Sequence, residues 1–140
     1  MTNILVSACL LGLDCKYSGG NSINKKIIKL KYKYNLIPVC PEQLGGLSTP
    51  RNPAEISDGL IIDCNGNDVT EYFKKGAYET LKVAKLFDCH IAILKSNSPS
   101  CGFGQIYDGS FSGQLIQGMG LTAQILQESG VTIICDEDMD

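Results

Sequence analysis

Four short apolar runs, separated by helical or glycine-rich segments, constrain the fold of this 140-residue chain. Short apolar runs bounded by turn residues are typical of buried strands. Strands that alternate with helices imply right-handed crossovers and a parallel sheet covered on both faces. We therefore predict a single α/β domain over residues 1–140, with three α/β/α layers and a mostly parallel, Rossmann-like sheet. The predicted strands are residues 3–8, 36–39, 91–95 and 131–135.

Three segments between these runs have the periodicity of amphipathic helices. The first can be capped by Asn21 or Ser22, because a side-chain oxygen there accepts the free amides of the first turn. The second begins with Asp68 and Glu71, which match a capping pattern. The predicted helices are residues 22–34, 68–87 and 121–129.

The remaining segments are rich in turn-forming or acidic residues. The dipeptide Asn65-Gly66 is typical of a hairpin turn, which predicts pairing of residues 60–64 with residues 68–69. Residues 102–120 hold six of the fifteen glycines and are predicted to form a loop. Residues 136–140 form an acidic end that we expect to fray.

Charge and composition exclude several functions. Fifteen acidic against twelve basic residues give a net charge of −3, so we expect neither nucleic acid nor an anionic membrane as a partner. His90 is the single histidine, which excludes a site built from several histidine ligands. No apolar stretch approaches the ~18 residues of a membrane-spanning helix.

Seven cysteines are the unusual feature of the composition. An odd number rules out complete internal pairing, and no export signal is recognisable around the first apolar run. We therefore expect a cytoplasmic protein whose thiols stay reduced. In that compartment cysteines bind metal, act in catalysis or pack in the core.

Three of these cysteines follow predicted strands. Cys9 directly follows the first strand, Cys40 directly follows the second, and Cys101 lies in the loop after the third. Parallel sheets bind ligands at the carboxyl ends of their strands, and neighbouring strands lie ~4.8 Å apart. The three thiols are therefore expected to converge at one edge of the sheet.

The other four cysteines are weaker candidates for a site. Cys15 can fold back towards the three thiols, and Cys135 ends the last strand at the same edge. Cys89 begins a strand and is expected at the opposite edge. Cys64 lies in the predicted hairpin and is interpreted as a small buried packing residue.

Three converging thiolates suit more than one group. Zinc takes four protein ligands in structural sites, or three and a water in catalytic ones. An iron–sulfur cube normally takes four cysteine thiolates, so three leave one iron as an open Lewis-acid position. The spacing contains no CxxC signature, and three packed structural cysteines fit it equally well. A zinc- or cluster-binding sensor module and a thiol redox enzyme with Cys9 or Cys101 as nucleophile therefore remain open.

Polar side chains beside the three cysteines favour a site over simple packing. Glu42 lies two residues after the second cysteine and is suited to general acid or base catalysis; otherwise it starts a helix or pairs with Arg51. Ser98 and Ser100 precede the third cysteine and can bond a substrate or cap the loop backbone. Arg51 can bind an anionic group or pair with a nearby glutamate. We predict substrate contacts from Ser100 and Arg51.

Five segments of the chain carry a family resemblance. In chain order they read VSACLLG, PVCPEQLGGLSTPR, AEI, LKSNSPSCGFGQIYDGSFSG and GMGLTAQIL. Together they resemble the bacterial thiouracil desulfidase family, in its stand-alone form. The resemblance extends over residues 4–134 and is most specific around the second and third of the three cysteines.

The resemblance implies a more specific function than the residues alone indicate. Members of the family hold a [4Fe–4S] cluster by three cysteines and remove sulfur from thiolated pyrimidine bases such as 2-thiouracil, without net redox change and with release of hydrosulfide. By motif, the ligands correspond to Cys9, Cys40 and Cys101, and the catalytic pair to Glu42 and Ser98. The iron without a protein ligand binds the sulfur of this small-molecule substrate.

Overall fold

A parallel sheet of four strands forms the centre of the computed structural model, which describes residues 1–139. Within these residues the strands are β1 (Asn3–Ser7), β2 (Asn35–Val39), β3 (Ala54–Ser57), β4 (Leu60–Asp63), β5 (Ile91–Leu94), β6 (Phe103–Tyr107), β7 (Leu115–Met119) and β8 (Thr132–Cys135). The α-helices are α1 (Lys25–Ile28), α2 (Pro41–Leu44), α3 (Thr70–Leu86) and α4 (Leu121–Glu128). The sheet order is β2-β1-β5-β8 with parallel pairing throughout, which confirms the predicted parallel sheet.

Helices cover both faces of this sheet. Successive residues of a strand point to opposite faces. Leu5 of β1 lies in a core cluster with Ala84 of α3 and Leu126 of α4. Its neighbour Val6 lies in a second cluster with Ile27 of α1. The three-layer α/β/α fold is therefore confirmed.

The first helix is shorter than its periodicity predicts. α1 has four residues and continues only as a 3-10 turn over Lys29–Tyr32. Asn24 caps it, because its Oδ1 atom accepts two N–H groups of the first turn at 3.0 and 3.3 Å. The caps predicted at Asn21 or Ser22 are wrong, since the Ser22 N–H bonds the Cys9 carbonyl at 2.9 Å and lies outside the helix. α3 and α4 confirm the other two predicted helices.

The strand β4 pairs with β3, which precedes it in the chain. Their turn is Asp58-Gly59, whose φ angles of 50° and 78° are both positive, as a two-residue hairpin turn requires. The pairing predicted around Asn65-Gly66 is also present: Ile62 forms an antiparallel bridge with Asp68, and the Val69 N–H donates to the Ile61 carbonyl at 2.8 Å. That prediction is therefore confirmed, and the pairing of β4 with β3 is an additional hairpin that was not predicted.

Residues 102–120, predicted as a loop, instead contain the antiparallel hairpin of β6 and β7. Ile106 is buried and packs over Gly118, where a Cβ atom would lie 2.9 Å from the Ile106 Cδ1 atom. Glycine generally weakens a strand, but here it makes room for a buried side chain of the partner strand. The loop prediction is wrong for that reason.

The acidic end of the chain contacts the loop after β5. Asp136–Asp138 form a 3-10 turn, and the Asp136 Oδ1 atom accepts the Ser96 N–H at 2.7 Å. The predicted fraying is therefore wrong for these residues, and Asp140, the last residue of the predicted tail, lies outside the described residues. Among residues 1–139, no helix has both the length and the apolar character needed to cross a membrane.

Candidate active site

The order of the sheet reverses at β1, because β2 lies on one side of it and β5 on the other. Open α/β sheets bind ligands at such a switch point, in the crevice beyond the carboxyl ends of the strands. A cavity of about 430 Å³ lies at this edge and is lined by residues that follow β1, β2 and β5. The topology therefore forms a cavity at the edge where the sequence predicts a site.

The three cysteines predicted as metal ligands all line this cavity. Cys9 lies in a 3-10 turn directly after β1, Cys40 lies between β2 and α2, and Cys101 lies in the loop between β5 and β6. Cys9 and Cys101 are buried, and Cys40 is half-buried. Cys15 lines the same cavity, and its carbonyl accepts the Cys40 thiol at 3.6 Å. Four thiols therefore surround one space.

Burial makes Cys9, Cys15 and Cys101 poor nucleophiles. It raises the pKa of Cys9 to about 11, although the ammonium group of Lys95 lowers it in part. Burial likewise raises the pKa of Cys101 and that of Cys15 to about 12. A reactive cysteine requires a lowered pKa. The geometry therefore does not favour a thiol redox enzyme.

The remaining cysteines lie away from the cavity. Cys89 is buried just before β5, at the opposite edge of the sheet, as predicted. Cys135 ends β8, and its thiol donates to the Asp136 Oδ1 atom at 3.7 Å. The prediction that Cys64 is buried is wrong, because it is exposed. Its neighbour Asp63 takes the buried position and accepts two N–H groups of the turn.

Glu42 lies in α2 and pairs with Arg51, whose Nε atom donates to the Glu42 Oε1 atom at 3.0 Å. The guanidinium also donates to the Ser48 carbonyl at 3.1 Å, the Thr49 hydroxyl at 3.0 Å and the Cys15 carbonyl at 2.9 Å. The Arg51 side chain is only 6% exposed. Four of its five N–H groups are thus directed to the protein, so that, although Arg51 lines the cavity, the geometry favours pairing with glutamate over the predicted substrate contact.

The second carboxylate oxygen of Glu42 has a different environment. Within residues 1–139, Oε2 has no hydrogen-bond partner, whereas Oε1 is held by Arg51. The side chain is 20% exposed and lines the cavity. The arginine therefore fixes one oxygen, and the other stays available to a molecule in the cavity.

A close backbone contact with α3 holds α2 in place. A Cβ atom at Gly76 would lie 1.9 Å from the Pro41 carbonyl oxygen, and one at Gly45 would lie 2.0 Å from the Tyr72 carbonyl oxygen. Any side chain at either glycine therefore requires the helices to move apart. Because α2 carries the glutamate and directly follows the second cysteine, this contact positions two of the predicted site residues.

Ser98 and Ser100, in the loop between β5 and β6, have different surroundings. The Ser98 Oγ atom accepts the N–H groups of Ser100 at 3.0 Å and Cys101 at 2.8 Å, and the residue lines the cavity. Ser100 is 1% exposed and its hydroxyl bonds the Thr122 hydroxyl at 2.8 Å, at the start of α4. It does not line the cavity. The structure therefore brings Ser98 to the predicted site and leaves Ser100 in the core.

The thiols fit an iron–sulfur cluster better than a single ion. Within the described part of the chain, no three His, Cys, Asp or Glu side chains converge closely enough to hold one metal ion. A cube presents its irons at separate corners, so its ligands lie farther apart than those of one ion. Thiolates are the ligands that hold such clusters. Cysteines spread around a cavity therefore suit the cluster that the resemblance implies.

Comparison with known proteins identifies the family. Residues 4–138 match the family described as 2-thiouracil desulfurase. The chain belongs to this family. A similar protein described as uncharacterized, YbbK of Bacillus subtilis (strain 168), is 44% identical over 147 residues, which cover 98% of this chain and 97% of the relative. A solved structure, the [4Fe–4S]-dependent thiouracil desulfidase TudS, matches with a TM-score of 0.93 and 35% identity, covering 99% of this chain and 93% of its own.

Membership of the 2-thiouracil desulfurase family confirms the predicted family and the predicted class of enzyme. The structural match confirms the α/β fold. Neither the sensor module nor the thiol redox enzyme is favoured. The individual ligands and catalytic residues stay predictions, which the shared cavity supports.

Several residues around the cavity of this desulfurase were not predicted from the sequence. Tyr17, Tyr107 and Phe111 line it. Tyr17 and Phe111 are 47% and 41% exposed, so they lie on the solvent side of the buried thiols. The segment around the third cysteine that carries the family resemblance also contains Phe111. The length of that segment was the signal in the sequence that residues beyond the cysteine belong to the site.

Proposed function

We propose that this chain converts the thiocarbonyl of a thiolated pyrimidine base, such as 2-thiouracil, into a carbonyl and releases hydrosulfide. In this proposal Cys9, Cys40 and Cys101 hold a [4Fe–4S] cluster. The observation that carries it is that these thiols line one cavity together with Glu42 and Ser98. The similar solved structure is that of TudS, a [4Fe–4S]-dependent thiouracil desulfidase, and it supports the same reaction in this cavity.

Three cysteines leave one corner of the cube without a protein ligand. When bound, such a cluster supplies an open Lewis-acid position that polarises a carbon–sulfur double bond. Cys9, Cys40 and Cys101 bind as thiolates, so their protons are released on binding. The ammonium of Lys95 favours the thiolate of Cys9, since it lowers the pKa that burial raises.

Glu42 is the general base in this proposal. Its Oε2 atom is available to a water in the cavity, while Arg51 holds Oε1 and fixes the direction of the carboxylate. Positioned general bases typically contribute ~10²–10⁴-fold to a rate. His90 is exposed and precedes β5, so it lies at the opposite edge of the sheet.

Ser98 orients the substrate in this proposal. Its oxygen accepts two backbone N–H groups, which fixes the position of the hydroxyl at the cavity wall. The hydroxyl hydrogen then stays free to donate to an oxygen or nitrogen of the base. Such a donor also stabilises negative charge that develops on the base as water attacks.

The atoms of the reaction balance without an oxidant or a reductant. The water oxygen forms a bond to the thiocarbonyl carbon, one water proton passes to Glu42, and the carbon–sulfur bond breaks. The sulfur leaves as hydrosulfide with the second water proton, Glu42 then releases its proton to solvent, and the base keeps the oxygen as its new carbonyl.

Anaerobic reconstitution tests the proposal. Protein loaded with iron and sulfide is incubated with 2-thiouracil and with a panel of other thiolated bases. We expect uracil and hydrosulfide in equal amounts from 2-thiouracil, and neither product after removal of iron with a chelator. Equal turnover by chelated protein, or no turnover of any thiolated base, would contradict it.

The wider context of the enzyme also stays a prediction. We propose that residues 1–140 act as one domain on a small molecule in the cytoplasm, without nucleic acid or membrane as a partner. Fractionation of cells and the retention of activity by the purified chain alone would test these points.

A further inference from the structure

The two hairpins outside the central sheet contact each other beside the cavity. Glu55 of β3 directs its Oε1 atom at the turn between β6 and β7, where it accepts the N–H groups of Gly109 at 3.0 Å and Phe111 at 3.1 Å. A Cβ atom at Gly109 would lie 2.6 Å from the Ile56 carbonyl oxygen. One carboxylate and one close backbone contact therefore hold this turn against β3.

The turn places an aromatic side chain at the cavity. Phe111 lines the cavity although it is 41% exposed. Its φ angle is 57°, a left-handed conformation that is uncommon for bulky residues. Conformations of this kind persist where surrounding contacts hold them, and they cluster at ligand sites. The two N–H bonds to Glu55 are such contacts, so the protein holds the backbone that carries the ring at the cavity.

We propose that Phe111 is a specificity-determining residue whose ring stacks on the flat face of the pyrimidine, and that Glu55 is the positioning residue that holds it. This inference rests on the proposed function and deepens it. Tyr17 and Tyr107 line the same cavity, so the ring meets an aromatic environment on the solvent side of the thiols. A planar heterocycle is the class of ligand that such side chains recognise.

Stacking predicts a specific kinetic signature. Water adds to one ring carbon, and the other five ring atoms keep their planar arrangement, so stacking on them contributes nearly equally to ground-state and transition-state binding. Loss of such uniform binding raises KM and leaves kcat unchanged. Base–aromatic stacking makes a contribution that corresponds to about tenfold in affinity or more.

The test compares Phe111→Leu with Phe111→Tyr and with Phe87→Leu. Phe87 is also 41% exposed but lies at the end of α3, away from the cavity, so it is the matched control. We expect Phe111→Leu to raise the KM for 2-thiouracil and the inhibition constant of uracil about tenfold, with kcat within about twofold. Phe111→Tyr, which keeps the ring, and Phe87→Leu are expected to behave as wild type.

Glu55→Ala tests the positioning residue separately. We expect it to raise KM by a factor similar to Phe111→Leu and to add little in the double variant, because both changes remove one interaction. Hydrogen exchange of the Gly109 and Phe111 amides is expected to be faster in Glu55→Ala. Glu55→Gln keeps an acceptor oxygen and is expected to restore most of the affinity.

Two outcomes separate this inference from the function on which it rests. Wild-type turnover with an unchanged KM and an unchanged uracil inhibition constant in Phe111→Leu overturns the inference alone. Absence of hydrosulfide release by the wild type overturns the proposed function and this inference with it. A fall in kcat at constant KM also contradicts stacking, since it assigns the ring to the chemical step.

Discussion

The two edges of the central sheet are made by the same four strands but differ in structure. At the amino edge, side-chain amides close the strand ends: Asn3 donates to the Phe87 carbonyl at 2.6 Å, and Asn35 donates to the Asn3 Oδ1 atom at 2.9 Å. At the carboxyl edge, the loops after β1, β2 and β5 enclose a cavity of about 430 Å³. Short polar contacts therefore fill one edge, whereas the other keeps room for a ligand.

Two buried cysteines on either side of β5 show what this difference teaches. Both belong to one core cluster with Ala84 and Leu126, but Cys89 precedes the strand and does not line the cavity, whereas Cys101 follows the strand and lines it. Burial raises the pKa of both thiols. The roles that we propose for them therefore follow from the edge at which they lie, and not from residue type or burial.

The largest expected effect separates these two cysteines. A cube holds about four irons and four sulfides per chain, and Cys101→Ser is expected to lose most of them. Hydrosulfide release from 2-thiouracil is expected to be lost with the cluster. Cys89→Ser is expected to keep both, because Cys89 does not line the cavity. Iron and sulfide analysis of anaerobically reconstituted variants measures this. Equal iron loss in the two variants would contradict a site at one edge only.

The next effect tests the base at the carboxyl edge. Glu42→Gln keeps the shape of the side chain and removes its ability to accept a proton, so we expect desulfuration to slow by ~100-fold or more with the iron content unchanged. Glu71→Gln changes an exposed glutamate of α3 and serves as the control. Rates are measured from hydrosulfide release. Near-normal turnover in Glu42→Gln would remove this residue from the mechanism.

A smaller effect concerns the contact that positions α2. Gly76→Ala places a methyl group against the Pro41 carbonyl oxygen and displaces the helix that carries the glutamate. We expect the free energy of unfolding to fall by about 1–3 kcal/mol and kcat to fall about tenfold. Lys75→Ala, at an exposed neighbouring position, is the control. Chemical denaturation and rate measurements that match wild type would show that α2 tolerates the displacement.

The parallel sheet and its site edge could be predicted because they depend on local sequence. Each apolar run identifies a strand, and the residue after it necessarily lies at the carboxyl edge, so Cys9 and Cys40 were placed correctly. The ligand role itself came from a family resemblance and not from spacing. Even then, the residues after Cys101 were predicted as a loop, because glycine disfavours strands and the packing of Ile106 over Gly118 is a contact between strands.

Other features depend on contacts between distant segments. The turn at Asn65-Gly66 was predicted, whereas the hairpin across Asp58-Gly59 was not, because residues 54–57 become a strand only by pairing with β4. Arg51 could pair with a glutamate or bind an anion, and its four hydrogen bonds to the protein are visible only in the fold. The exposure of Cys64 likewise follows from its neighbour Asp63, which binds the turn amides.

The smallest expected effect is a pH dependence of the cluster-free protein. Burial raises the pKa of Cys9 to about 11, whereas an ordinary thiol of the unfolded chain titrates near 9.0. Between these two pKa values the folded protein keeps the Cys9 proton and the unfolded chain loses it. The contribution of Cys9 to the free energy of unfolding is therefore fully present below the pKa of the unfolded chain and falls as the pH rises towards the pKa of the folded protein. Between about pH 7 and about pH 10, the free energy of unfolding from chemical denaturation is expected to fall more steeply with pH in wild type than in Cys9→Ala. Equal pH dependence of the two proteins would contradict it.

Anomalous diffraction at the iron absorption edge, from crystals grown without oxygen, tests the central claim most directly. We expect a compact set of iron peaks inside the cavity, with three of them bonded to the Sγ atoms of Cys9, Cys40 and Cys101 and one bonded to no protein atom. A soak with 2-thiouracil is expected to bring its sulfur to that last iron. Iron at the amino edge, or an iron bonded to the Sγ atom of Cys15 as a fourth thiolate, would contradict the claim.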